Sequence, residues 1–263
     1  MFGRASVTQR VVYQVIATIL VLPFLFPLAV IVAISFSGQG PLANYGAVIT
    51  QTPFLMFLLN SAVVSAGTVV LIYVVTILAG YAFTKLKFAG RKLLFNAILV
   101  GLVLPSIALM VPMFIIVRQL GLFNNFLAVI LPLSAVTIPL TLLLARNYLA
   151  GIPDEIIEAA KIDGATSFST LVRIVLPLSK PITAVIVVWA FLQSWNEFFL
   201  PLLFLQDPNL QVVTQVPQFF TSTYGSDISK IFAALVLICL PIVITYLLLQ
   251  KFFERGLTAG AIK

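Results

Sequence analysis

Two groups of residues in this 263-residue chain combine types and spacing that could do chemistry. The first is Glu158-Ala159-Ala160 with Asp163 and Gly164 close behind. Two small side chains beside an acid let another protein approach closely, and the acid can pair with a base on it. The second is Trp195-Asn196-Glu197, set inside an otherwise uncharged apolar run from 181 to 205. An acid at membrane depth is a functional candidate because burying it is costly. With an aromatic face and an amide beside it, the triplet suits a hydroxyl-rich solute. A helix–helix hydrogen bond, or an acid reaching back to the interface, is the plainer alternative. Nothing in the chain forms a catalytic set. There is no histidine to act as base or metal ligand. The single cysteine, Cys239, lies in an apolar run and reads as a small buried hydrophobe. No G-x4-G-K-[ST] phosphate loop occurs. The expectation is a protein that is not an enzyme and holds no metal or cofactor.

The elements that must position these groups follow from composition. The chain is 61% hydrophobic and 9% charged, whereas soluble domains run at roughly 45–50% apolar and about 25% charged. Eight acids and fifteen bases cannot cover a soluble globule of this size. A soluble enzyme is excluded, and so is a disordered chain, which would be poor in apolar residues. The net charge of +7 comes from bases scattered singly or in short clusters beside apolar runs, a topology signal rather than a nucleic-acid footprint.

Residues 11–84 carry no charge; Gly38, Gly40, Pro41, Asn44, Gly46 and Pro53 divide them into runs at about 11–36 and 57–83. Further runs cover 93–117, 125–145, 181–205 and 231–250. Each is long enough to cross a bilayer as a helix, which takes about 20 residues, and helices leave no backbone group unsatisfied in lipid. The first run is too long for a signal peptide core and no small-residue cleavage site follows it. All the Lys and Arg residues except Arg118 and Lys230 fall at the termini or in the segments after the second and fourth runs. The reading is one all-α, polytopic membrane domain over 1–263 with six spans and both termini in the cytoplasm. Pro23, Pro27, Pro105, Pro112, Pro132, Pro139, Pro201 and Pro241 lie within the runs and should kink them.

The cytoplasmic segment 146–180 holds four of the eight acids. Pro153 fits the first turn of a helix, Asp154 and Glu155 complement its positive start, and Gly164 ends it in a left-handed cap. This predicts a helix over 153–163 and a second one, capped by Thr166 or Ser167, running to Val175. The outer segment 206–230 is rich in Gln, Thr, Ser and Asn, and is either a contact for a soluble partner or a plain connector.

Glu158-Ala159-Ala160, Gly164 and Ile174-Val175-Leu176-Pro177 fill every fixed position of EAA-x3-G-x9-I-x-LP, the pattern of ABC importer permeases. EAAKIDGAT at 158–166, GLTAG at 256–260 and WNEFF at 195–199 resemble the carbohydrate-type branch, in particular its smaller maltose-type subunit. The resemblance covers roughly residues 57–263. It implies a permease subunit of an ATP-driven, binding-protein-dependent sugar importer in the cytoplasmic (inner) membrane of a prokaryote. Glu158, Ala159, Ala160, Asp163 and Gly164 would form a coupling helix docked on a separate ATPase. Gly256, Leu257, Thr258, Ala259 and Gly260 would reach between two ATPase subunits, which bind the ATP and Mg. Further partners would be a second homologous permease and an extracytoplasmic solute-binding protein, with lipid around the spans and no nucleic acid. A permease for a non-sugar solute, or an ion-coupled carrier, is the alternative. One intramembrane acid is thin for a proton relay, and an EAA loop has no role in a carrier.

Overall fold

A computed structural model of the protein describes residues 7–222 and 225–261, except the side chains of 249 and 251–261. In chain order the elements are α1 (Val7–Ser35), α2 (Pro41–Gln51), α3 (Phe54–Lys85), α4 (Arg91–Val100), a 3-10 turn (Ser106–Leu109), α5 (Met110–Gln119), α6 (Leu127–Ala150) and α7 (Asp154–Ile162). There follow α8 (Ser167–Thr170), a π turn (Leu171–Val175), α9 (Leu176–Leu178), α10 (Lys180–Trp195), α11 (Phe199–Phe204), a 3-10 stretch (Val213–Phe220) and α12 (Ile228–Ala261). A two-residue ladder, β1 (Thr221–Ser222) with β2 (Gly225–Ser226), is the only strand pairing among the described residues. The chain is all-α in every other respect.

The chain forms two compact units, one of residues up to Phe54 with Val216–Leu240, the other of Leu55–Gln215 with the residues from Pro241 on. In the first unit α1 is apolar all round and buries only Ser35, as expected of a helix whose solvent is not water. Its last turn is closed by Asn44, whose Nδ2 donates to the carbonyls of Ser35 and Ser37, both at 2.8 Å. The Ser35 carbonyl belongs to the last turn of α1, and the Ser37 carbonyl also accepts from the Gly40 amide at 3.3 Å. Ser37 and Ser229 share a hydrogen bond of 2.8 Å. At the start of α12, Asp227 accepts from the Lys230 amide at 3.2 Å and pairs with its ammonium at 2.8 Å.

The second unit is built on α3, α6 and α10. Small residues bring α3 and α6 together, as is usual for helices in lipid. A Cβ on Gly80 would stand 3.3 Å from Ala145 Cβ and 3.3 Å from Leu149 Cδ1. One turn away, the Thr76 and Thr141 hydroxyls hydrogen-bond at 2.8 Å. Around this contact Ile72, Tyr81, Leu149, Ile157, Leu171 and Ile186 form a core that joins the spans to the loop helices. A second core, with Val64, Val129, Leu133, Leu200 and Phe204, lies toward the other ends of α3 and α6 and takes in α11.

Not every expected span is one rod. Four helices are uninterrupted and apolar enough to cross a membrane: α1, α3, α6 and Ile228–Leu248 of α12. The run 93–117, expected as a single span, is α4 and α5 with a break between them. Gly101, Leu102 and Val103 tighten into three-residue turns onto Ile98, Leu99 and Val100. Pro105 then has no N–H to continue the ladder and keeps Leu104 out of the helical region. The run 181–205 likewise divides into α10 and α11. Ser167–Leu178 meets Lys180–Trp195 at 82°, so the chain turns sharply where the apolar helix α10 begins.

Replacing Gly80 by leucine should drive α3 and α6 apart. Overpacking of this kind costs about 1–3 kcal/mol, so the detergent-solubilised variant should melt several degrees below the wild type by tryptophan fluorescence, with Gly80→Ala much closer to it.

Candidate functional site

The loop 146–180 folds much as its residues dictate. Asp154 and Glu155 stand in the first turn of α7 and Lys161 in the last, each sign matched to the helix end it occupies. Gly164 adopts φ +81. Its N–H donates to the Lys161 carbonyl at 3.0 Å, and the Ala165 N–H reaches the Ala160 carbonyl at 2.9 Å. That pair of bonds is the Schellman closure, which requires a left-handed residue where Gly164 stands. Thr166 caps the next helix, its Oγ1 accepting from the Ser169 amide at 3.2 Å.

The structure divides the five loop candidates. Glu158, Ala159, Asp163 and Gly164 are exposed, while Ala160 is buried. Its small side chain therefore serves the interior of the loop rather than its outer surface. On the outer side the sequence reading missed two large apolar residues, Ile162 at 86% exposure and Phe168 at 70%, which flank Gly164. Bulky apolar residues in a segment rich in charge were the available signal.

A second missed residue holds the loop in place. Lys85, at the end of α3, donates to the Ile152 carbonyl at 2.5 Å and to Asp154 Oδ1 at 2.6 Å. The hydrogen bond and charge of Lys85 hold the Asp154 carboxyl below the usual carboxylate range; slight desolvation opposes this, and Lys87 and Lys161 add to it.

The other candidates surround the break between α10 and α11. Trp195 is buried, Asn196 is exposed and turned back on its helix, with Nδ2 donating to the Leu192 carbonyl at 2.8 Å, and Glu197 is half-buried. Glu197 Oε1 accepts from the amides of Phe199 and Leu200 at 2.9 and 3.0 Å, capping α11. Pro201 cannot donate to the Glu197 carbonyl, and Thr214 Oγ1 does so instead at 2.9 Å. Gln215 Nε2 likewise takes the Phe198 carbonyl at 3.0 Å. Part of the outer segment is thus built into the membrane-side structure. Farther along it, Asn60 Nδ2 donates to the carbonyls of Asn209 and Gln211, and Asn124 Oδ1 accepts from the amides of Gln206 and Asp207.

Glu197 also lines a cavity of about 260 Å³ with Ser106, Thr137, Trp189 and Gln193. Trp189, Gln193 and Glu197 recur every four residues, so they share one face of the α10 segment. The sequence carried that periodicity, but the adjacent triplet Trp195-Asn196-Glu197 drew attention from it, and of the triplet only Glu197 reaches this cavity. The residues 256–260 continue the backbone of α12, and their side chains lie outside the described residues.

The chain matches the family described as binding-protein-dependent transport system inner membrane component over residues 72–259. It is 32% identical to the trehalose/maltose transport system permease protein of Thermococcus litoralis, with 99% of each chain covered. It is 34% identical to the arabinooligosaccharides transport system permease protein of Halalkalibacterium halodurans, over 78% of this chain and 72% of that one. Among solved structures, a chain of a bacterial ABC transporter that imports the acidic polysaccharide alginate superposes with a TM-score of 0.79. The match covers 95% of this chain and 99% of that one, at 24% identity, a likeness of fold.

Two measurements follow from these contacts. Because the Asp154 carboxyl is held low in the folded protein, its ionic contribution is complete above the ordinary carboxylate value of about 3.9 and fades as pH falls through the lower folded value. The melting temperatures of wild type and Asp154→Asn should therefore differ at pH 6 and converge at acid pH. For Glu197, alanine removes the α11 cap and should lower stability by about 1 kcal/mol, as cap losses do, whereas Glu197→Gln keeps an acceptor oxygen and should lose less; chemical denaturation in mild detergent compares them.

Proposed function

Because this chain belongs to the inner-membrane components of binding-protein-dependent transport systems, we propose that it is one permease subunit of an ATP-driven sugar importer. The chain is a multi-pass membrane component and not itself an enzyme; hydrolysis belongs to separate ATPase subunits. Its identity to permeases of trehalose/maltose and arabinooligosaccharide systems supports a carbohydrate as the solute. The observation that carries the reading is the loop itself: Gly164 in its left-handed turn, with Glu158, Ala159, Asp163, Ile162 and Phe168 facing outward. That surface fits a cleft on an ATPase, with the apolar pair as anchors and the acids as partners for bases.

In this reading the chain crosses the prokaryotic inner membrane six times as one permease domain, with both termini inside, as the distribution of Lys and Arg supports. α4 and α5 together make the third crossing, and α10 with α11 the fifth. The functional unit pairs this chain with a second, homologous permease on two ATPases, and a binding protein delivers solute from outside. ATP and Mg are bound by the ATPases. The tail 256–260 extends toward them. Closure of the ATPase pair moves the loop, and the spans open outward. Solute then passes the face of Trp189, Gln193 and Glu197, where an aromatic plane and hydrogen-bonding groups suit sugar hydroxyls.

The test is a pull-down of the tagged chain from its host in mild detergent, with partners identified by mass spectrometry. A second multi-span permease and an ATPase should co-purify. In Gly164→Asp the permease should stay and the ATPase be lost, since aspartate must adopt a left-handed backbone and sets a charge in the docking turn. Recovery of the chain alone, or only with itself, would overturn the reading.

A further inference from the structure

Lys85 has no place in the docking surface just described, yet its side chain is buried and its contacts bear on the loop. Its side chain is 3% exposed, while that of Asp154 is 76% exposed. A buried ammonium is tolerated only where charge and hydrogen bonds replace its water. Here both replacements come from one place, the joint between α6 and α7: the Ile152 carbonyl at 2.5 Å and Asp154 Oδ1 at 2.6 Å. The joint reads Gly151-Ile152-Pro153-Asp154. Gly151 closes α6 and Pro153 bars helix formation by the residue before it, so α6 and α7 cannot run on as one rod. Without a third party, this joint would be a hinge of a few residues, the form that most hinges take.

We propose that Lys85 is the tie that locks this hinge, so that the loop helix α7 moves as one body with α3 rather than swinging on the α6–α7 joint. The contact is short and charge-assisted, the strongest class of hydrogen bond available to a side chain. It is also placed to act twice. The ammonium fixes the backbone of Ile152, whose side chain is in the core with Ile72, Tyr81 and Leu149. It fixes the first residue of α7 as well. Apolar packing through Ile152 and Ile157 holds α7 against the core, and the Lys85 contact adds a directional bond at its first residue. Lys85 is thus a positioning residue: it would touch neither solute nor ATPase, and would set how motion of the loop is passed to the span. This rests on the coupling role proposed above for the loop.

The test reads that rigidity directly and needs no knowledge of the solute. The whole complex, with its ATPase, is placed in nanodiscs in a Cys239→Ser background. Spin labels are attached at Val74→Cys on the exposed side of α3 and at Glu155→Cys on α7. Their distance distribution is measured by pulsed electron resonance, without nucleotide and with ATP and vanadate. The parent should give one narrow distribution that is unchanged between the two states. Lys85→Met, which keeps the stem and removes the charge, should broaden it and make it differ between states. Lys85→Arg should restore the narrow form. Should Lys85→Met fail to reach the membrane, Asp154→Asn removes one charge at an exposed position and should broaden the distribution in the same way.

A parent distance that shifts with ATP, or a narrow and unshifted one in Lys85→Met (or in its replacement, Asp154→Asn), would overturn the proposal. Failure of the coupling role itself would show separately, as ATPase retained by Gly164→Asp.

Discussion

A helix that stops inside a bilayer strands backbone donors and acceptors where no water can reach them. The apolar run 181–205 breaks between Trp195 and Phe199, and its immediate surroundings follow from how such groups are satisfied. Glu197 turns its carboxylate onto the first amides of α11. Thr214 and Gln215 return from the outer segment to take the carbonyls of Glu197 and Phe198. For those two side chains to arrive, the chain must fold back, and it is pinned as it does so: the Val213 amide donates to Ser61 Oγ at 2.9 Å and Asn60 holds Asn209 and Gln211. A polar segment that looks like a connector is thus part of the fold because a proline and an acid, 13 to 18 residues before Thr214 and Gln215, interrupt a helix.

The opposite end of the same unit obeys a different constraint. Here the backbone can meet water, and what matters is holding a short helix steady against the ends of longer ones. α7 has nine residues, too few to persist alone in water, where isolated helices need roughly 12–15. It persists because Ile157 enters the core around Gly80 and Ala145, and because both its ends are closed, by Lys85 and Asp154 at one and by the Gly164 turn at the other. The close approach of α3 to α6 at Gly80 and the placing of the loop are therefore not separate features. A wider gap between the spans would leave Ile157 without its pocket.

This contrast explains what could be read from the residues. The loop was legible almost residue by residue because its signals are local: proline at a helix start, acids in the first turn, glycine after the last, and a capping threonine. The structure starts α7 at Asp154 and ends it at Ile162, within a residue of the expected 153–163. The membrane segments were legible as apolar runs, but hydropathy counts side chains and does not register a broken backbone ladder. The prolines at 105 and 201 marked the places where a span could break, yet proline also sits inside unbroken helices here, at 23, 27, 132, 139 and 241. At 201 the freed carbonyl of Glu197 is taken by Thr214. Thr214 is far along the chain from any window centred on Pro201. Lys85 escaped notice for a related reason. In sequence it is one of several bases at a span end, and only the fold shows that it faces inward.

Glu197 joins two roles that compete for the same oxygen atoms. As a cap, its carboxylate is held by two amides and by the positive end of a short helix, which lowers the penalty of keeping a charge at that depth. As part of a cavity wall with Gln193 and Trp189, it faces open space. A carboxylate already accepting two hydrogen bonds through Oε1 cannot swing to follow a ligand without uncapping α11. It therefore works as a fixed point in the wall, while the exposed Gln193 is the group able to adapt. If solute contact is made on this face, its geometry is set by the backbone break and not by the flexibility of the acid. The break in the helix then has a use as well as a burden: it lets a charged group stand in an apolar setting with its orientation decided in advance, which is preorganisation.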